Sequence, residues 1–260
     1  MHSLVYLQTA ITAPKLFLTD FQAYYDRAFA KLWLVVGPIF VKDMPAPFEA
    51  HALLAQSRGV ILDVGPGSGD QLFRFSHPEN ITMIYGAEPG VGMHAALRES
   101  ANKTGLGEKY AILACGAEPE SLIPALAKEG LLSEERVLGD GIFDEIVCIR
   151  VLCGVPRVRE TVEVLYECLK PGGRLVLCEH VVNPGNGGSN LMGWFLQYFY
   201  GALGWPFFMG GCQLRRDTIA LLMEAAEADG GWAKVQLEKV DEWSLLPHVV
   251  GYCIKKGVSE

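Results

Sequence analysis

Two acids and three glycines between positions 63 and 88 could hold a ligand that carries both an amino acid and a nucleoside. The loop Asp63-Val64-Gly65-Pro66-Gly67-Ser68-Gly69 sets an acid two residues ahead of a G-x-G-x-G pattern. Glycine lets the backbone turn sharply and lets a ligand approach without meeting a Cβ. Dinucleotide loops are spaced G-x-G-x-x-G and offer their amides to a pyrophosphate. The Asp63 carboxylate would repel that group; it suits the cationic amino acid portion of a ligand, held directly or through water. Glu88 stands 19 residues after Gly69 and can accept two hydrogen bonds from a ribose diol. Glu118, in Cys115-Gly116-Ala117-Glu118, could meet an adenine amino group. The plain alternatives are a ligand-free turn for the loop, an exposed strand-end charge for Glu88 and a helix N-terminal charge for Glu118.

The elements that must position these groups alternate. Residues 60–64, 81–88, 110–114, 143–149 and 174–179 read as buried strands, with helical stretches at 91–103 and 157–169. A helix beginning near Ser68 would aim its free N–H groups at the ligand. Strand–helix alternation implies crossovers and a parallel sheet with helices on both faces. A helix over 215–228 and two closing strands near 233–241 and 248–256 bring the sheet to seven strands. Ahead of it, 15–36 reads as an amphipathic helix ended by Gly37-Pro38, and a short helix follows Pro47. The expected organisation is an N-terminal helical lid over 1–57 and one compact α/β unit over 58–260.

The totals exclude several classes. The 260 residues are half hydrophobic and one-fifth charged, with a formal net charge of −8. That charge repels phosphate backbones, so nucleic acid is not an expected partner. No stretch reaches the about 20 apolar residues of a membrane span, and the first residues lack a secretory signal's basic start. The expected location is the cytoplasm. Seven cysteines form no Cys-x-x-Cys pair and no zinc spacing, so no metal is expected. They read as buried free thiols, with no histidine and acid pair placed to activate one of them as a nucleophile.

At this point the residues resemble a family. The loop at 63–69 is similar to motif one of the class I S-adenosylmethionine-dependent methyltransferases, and Leu169-Lys170-Pro171-Gly172-Gly173-Arg174-Leu175 to their turn before strand five. Within that class, Val151-Leu152-Cys153-Gly154-Val155, Glu179-His180-Val181 and Pro247-His248-Val249-Val250-Gly251 resemble the mammalian methyltransferase-like proteins described as alkyl thiol methyltransferases. Those relatives carry a hydrophobic N-terminal anchor; Met1-His2-Ser3-Leu4 offers no comparable span. The resemblance implies a Rossmann-like methyltransferase fold, S-adenosylmethionine as cofactor and S-adenosylhomocysteine as product. The cofactor would lie on Asp63, Gly65, Pro66, Gly67 and Gly69, then on Glu88 and Pro89. Gly116, Ala117 and Glu118 would follow, with Ile149 and Arg150 at the end of strand four. It also implies a small apolar acceptor, a specialised metabolite among the candidates, methylated on a thiol or hydroxyl.

On the acceptor side, His180 directly follows strand five and titrates near neutrality, which makes it the candidate base; His248 is a second choice. Glu179 would orient His180 or face solvent, since neighbouring strand residues point to opposite faces. Phe21, Tyr24, Tyr25, Trp194, Tyr198 and Cys153 are the expected substrate contacts, against core packing as the alternative for each aromatic. Glycines among the aromatics of 194–208 suggest a mobile lid. A second reading keeps the fold and cofactor but turns the chemistry to a cyclisation or isomerisation, since fold does not fix chemistry.

Overall fold

The computed structural model describes residues 2–42, 46–133, 137–184 and 190–257. Its centre is a seven-stranded sheet: β1 Gly59–Val64, β2 Ile81–Ala87, β3 Tyr110–Leu113, β4 Phe143–Ile149, β5 Leu169–His180, β6 Lys234–Val240 and β7 His248–Ile254. The spatial order is β3-β2-β1-β4-β5-β7-β6. Neighbours pair in parallel from β3 through β5, and β7 pairs antiparallel with both β5 and β6.

Ten α-helices surround the sheet: α1 His2–Thr12, α2 Pro14–Thr19, α3 Phe21–Lys42, α4 Pro47–Leu54, α5 His94–Lys103, α6 Pro119–Lys128, α7 Val158–Cys168, α8 Leu191–Ala202, α9 Trp205–Phe208 and α10 Thr218–Ala225, counted among the described residues. The period-2 alternation of the strands divides the core in two. Leu62, Ile146, Leu175 and Leu177 pack with Leu122, Leu126, Leu165 and Leu222 on one face. Ile61, Ile84, Val147 and Val176 pack with Leu54, Leu72, Phe75 and Leu97 on the other. A third apolar cluster, Tyr6, Tyr24, Ala28, Leu32 and Val36, joins α1 to α3 away from the sheet.

Two expectations are corrected. The first helix does not stop at Gly37-Pro38: α3 runs through both to Lys42. A proline inside a helix loses one hydrogen bond and crowds the preceding turn, yet α3 is anchored beyond it, where Arg150 Nη1 donates to Phe40 O at 3.0 Å. Nor does a helix begin near Ser68; the chain from β1 to β2 runs through the 3-10 turns Leu72–Arg74 and Pro78–Asn80. Leu72 and Phe75 of that connection are buried in the face that α4 and α5 cover, so short turns suffice there.

Candidate active site

Strand order reverses on either side of β1, and a parallel sheet binds ligands beyond its carboxyl ends at such a point. The glycine loop after β1, the tip of β2, the turn after β4 and the end of β5 meet there around one cavity of about 500 Å³, within the usual range of small-molecule sites.

The loop holds its shape through its own backbone and Glu88. Gly65, Gly67 and Gly69 all have positive φ. A Cβ on Gly67 would come within 2.5 Å of Trp33 Nε1, so only glycine fits beneath that indole. The Glu88 carboxylate accepts from Gly67 N at 2.8 Å and from Gly90 N at 2.7 Å. Desolvation raises its pKa and these two amides oppose the rise. A carboxylate has about four acceptor positions, so two remain.

Asp63 stands behind the loop, in an adjoining pocket of about 40 Å³ that it lines with Pro66 and Ile149. Tyr110 Oη donates to its Oδ2 at 2.7 Å. Burial pushes the carboxyl up to about 7, against the Tyr110 bond and with the Glu88 charge adding to the rise. Arg150 borders both pockets and holds φ at +56°, a strained conformation for a non-glycine residue and one that concentrates at functional sites.

Of the residues singled out from sequence, Gly65, Gly67, Glu88, Pro89, Gly116, Ala117, Glu118, Arg150, Tyr25, Cys153 and His180 line the main cavity. Glu118 sits at the N-terminal edge of α6 without using its side chain as a cap. Gly69 lines neither pocket, and its carbonyl accepts from Ser100 Oγ at 2.6 Å.

Four expected substrate contacts are corrected. Tyr24 is buried in the α1–α3 cluster and donates to Tyr6 O at 2.9 Å. Phe21 stacks on Phe207 with centroids 6.5 Å apart. Trp194 and Tyr198 lie beneath the Arg215 guanidinium at 5.0 and 5.6 Å. None of the four borders the cavity. The helical period explains α3: Tyr25, Phe29 and Trp33 follow at four-residue steps and share the cavity face, which turns Tyr24, Ala28 and Leu32 toward α1. Phe29, Trp33, Phe40, Trp205 and Met209 supply the apolar wall. Reading 15–36 as one stripe hid the second face of this helix.

The expectation for Glu179 is corrected too. It is fully buried and neither faces solvent nor lines the cavity. Its Oε1 accepts from Val151 N and Leu152 N at 2.8 and 3.1 Å, tying the turn after β4 to β5. Burial raises its pKa, against those two bonds.

Where the end of β5 borders the cavity, His180 Nε2 lies 3.1 Å from Cys212 Sγ, and Trp205 Nε1 donates to the same sulfur at 3.3 Å. Cys153 joins them, and all three thiol and imidazole side chains are buried. A hydrogen bond from the Cys153 thiol, with those from His180 and Trp205, holds the Cys212 thiol below its ordinary range, while the same pairing and burial hold Cys153 above it. Sequence spacing gave no sign of a histidine beside Cys212; the fold supplies one across 32 residues. His248 also borders the cavity. Its Nδ1 lies 2.7 Å from Leu246 O, and burial, then the Arg150 charge, pushes it down to about 4. Its Nε2 and His180 Nδ1 are buried without a hydrogen-bond partner among the described residues.

No helix among the described residues is long and apolar enough to cross a membrane. A family described as Methyltransferase domain matches residues 42–229. The human thiol S-methyltransferase TMT1B is 33% identical over 124 residues, covering 46% of this chain and 47% of that protein. Human TMT1A, also a thiol S-methyltransferase, is 28% identical over 151 residues, covering 52% and 57%. The chain thus spans about half the length of the curated relatives it matches. Among solved structures, the [4+2]-cyclase SpnF superposes with a TM-score of 0.56 at 15% identity, covering 89% of this chain and 96% of that one. An O-methyltransferase family protein from Burkholderia thailandensis gives a TM-score of 0.55 at 15% identity, covering 95% and 64%.

Proposed function

Because the chain belongs to the methyltransferase domain family, we propose that it transfers a methyl group from S-adenosylmethionine to the thiol, or failing that the hydroxyl, of a small apolar acceptor. The observation that carries this reading is one cavity with two unlike ends. The part beside β1 and β2 offers a bare-backbone loop and the Glu88 carboxylate, which keeps two acceptor positions for a ribose diol. The part beside the end of β5 offers aromatic walls around His180, Cys153 and Cys212.

These residues fit the cofactor. Gly65 and Gly67 give close backbone approach, Gly116, Ala117 and Glu118 border the same space for the base, and Glu88 accepts from the sugar. Asp63 acts from behind the loop, where its ionised form would favour an ammonium group and Tyr110 holds its orientation. When bound, S-adenosylmethionine supplies a methyl group already activated on a sulfonium, so what the chain must add is alignment of donor and acceptor. Tyr25, Phe29, Trp33 and Trp205 exclude water from that line. His180 stands at the acceptor end, and His180→Ala is expected to lower turnover while cofactor affinity holds.

Sulfur is favoured over oxygen because a thiol, with its pKa near 8.5, ionises with little help, and because the chain's curated relatives are named thiol S-methyltransferases. The test is a labelled-methyl assay against a panel of thiols and phenols, alongside calorimetry with S-adenosylhomocysteine. Labelled thioether should form, and Glu88→Ala should weaken cofactor binding by at least about tenfold, the loss of one or two charge-assisted hydrogen bonds. Conversion of substrate without label, or unchanged affinity in Glu88→Ala, would reject the reading.

A further inference from the structure

Cys153, His180 and Cys212 reach one another from three stretches of chain: the turn after β4, the end of β5 and the turn after α9. Each offers one ligand atom, and these atoms lie within 4.8 Å of one another. We propose that the three side chains bind one thiophilic divalent cation of the Zn²⁺ class, with an open coordination position facing the cavity.

The donor set selects the class of ion. Two sulfurs and an imidazole suit Zn²⁺ and do not suit Mg²⁺ or Ca²⁺, which take oxygen. Sulfur and nitrogen ligands at about 2.3 and 2.0 Å from a tetrahedral ion lie roughly 3.5–3.8 Å apart. The 3.1 Å between His180 Nε2 and Cys212 Sγ therefore needs to open by only a few tenths of an ångström. The backbone brings the sulfurs together: Gln213 N donates to Cys153 O at 2.8 Å. A Cβ on Gly211 would stand 2.9 Å from Gly154 O, so only paired glycines permit that approach. Trp205 Nε1 donates to Cys212 Sγ at 3.3 Å, an outer-shell bond of the kind that steadies a ligating thiolate. The Arg150 and Arg216 guanidinium groups donate to Phe40 O and Leu152 O rather than to either sulfur. Three protein ligands rather than four among the described residues, all bordering the cavity, are the pattern of an ion that keeps a position for an outside ligand.

The ion's role, unlike its presence, rests on the methyl-transfer reading. An acceptor thiol would fill the open position and release its proton to water. Its sulfur lone pair would form the new C–S bond, while the sulfonium C–S bond breaks and its electron pair returns to the donor sulfur. The test needs no methyl donor. The full chain, reduced with a non-coordinating phosphine and stripped by a chelator, is titrated with Co²⁺. One ion per chain should bind, with the strong visible absorption of tetrahedral thiolate-bound Co²⁺, and Zn²⁺ should displace it. Cys153→Ser and Cys212→Ser should each weaken binding by at least about 100-fold, while Cys253→Ser should not. Iodoacetamide mapping of the unaltered chain keeps the test decisive if a variant fails to fold: Zn²⁺ should protect Cys153 and Cys212. Absence of both the spectrum and the protection overturns the site. A small alkyl thiol should then shift the Co²⁺ spectrum, and an unshifted spectrum overturns the acceptor role. Failure of the labelled-methyl assay would instead strike the methyl-transfer reading.

Discussion

Asp63 shows how one carboxyl links the site to the stability of the whole chain. Its pKa in the fold is about 7, against an ordinary value near 3.9. The folded chain thus holds this proton more tightly than the unfolded one. The associated stability is complete below about pH 4 and is lost as pH rises through about 7. Asp63→Asn keeps an acceptor for Tyr110 and removes the titration. Melting temperatures at pH 5 and pH 8 should fall further apart in the parent chain than in Asp63→Asn, by several degrees if a few kcal/mol are involved. Equal differences would mean that Asp63 stays ionised in the fold. The types of Asp63, Gly67 and Glu88 were readable in sequence because glycine and acid at strand ends have few other uses. What could not be read was that Asp63 bonds to Tyr110 and Glu88 to the loop's own amide, since both contacts depend on strand neighbours.

At the scale of elements, the strands were legible because short apolar runs ended in glycine or acid. The helices were less so. α3 continues through Pro38 because tertiary contacts outweigh a local cost, and the connection after β1 needs no helix because α4, earlier in the chain, helps cover that face. The meeting of Cys153 with Cys212 left a faint trace in sequence, a glycine beside each cysteine, but its meaning appears only when the two turns touch. That contact can be weighed. Gly211 and Gly231 have φ of +83° and +95°, where alanine costs about 1–2 kcal/mol. A Cβ at Gly231 meets nothing within 4 Å, whereas one at Gly211 meets Gly154 O at 2.9 Å. In urea denaturation Gly211→Ala should therefore lose at least about 1 kcal/mol more than Gly231→Ala, the cost of overpacking. Equal losses would show that the turns do not need their close approach.

For the whole molecule, the cavity roof is built from both ends of the chain. Tyr6 Oη donates to Phe207 O at 3.2 Å and Tyr25 Oη to Pro206 O at 3.3 Å, which joins α1 and α3 to α9. Phe207 and Phe208 pack on Tyr6. Elements joined in this way are expected to open and close as one unit. Hydrogen exchange followed by mass spectrometry should slow in α3 and α9 together when S-adenosylhomocysteine is added, with little change in β4 and β5. Protection of α9 alone would show that the two ends move separately. The aromatic character of this roof was evident in sequence, but not which rings face inward, because that choice is made by the packing of α1 against α3.

The glycine loop and Glu88 lie on and after β1 and β2, while Tyr25, Phe29 and Trp205 lie before and after the strands that carry them. On the methyl-transfer reading proposed above, mutation at these aromatic positions would rework what is accepted and leave the donor's loop as it is. Descendants of this scaffold can diverge in diet while inheriting the same fuel.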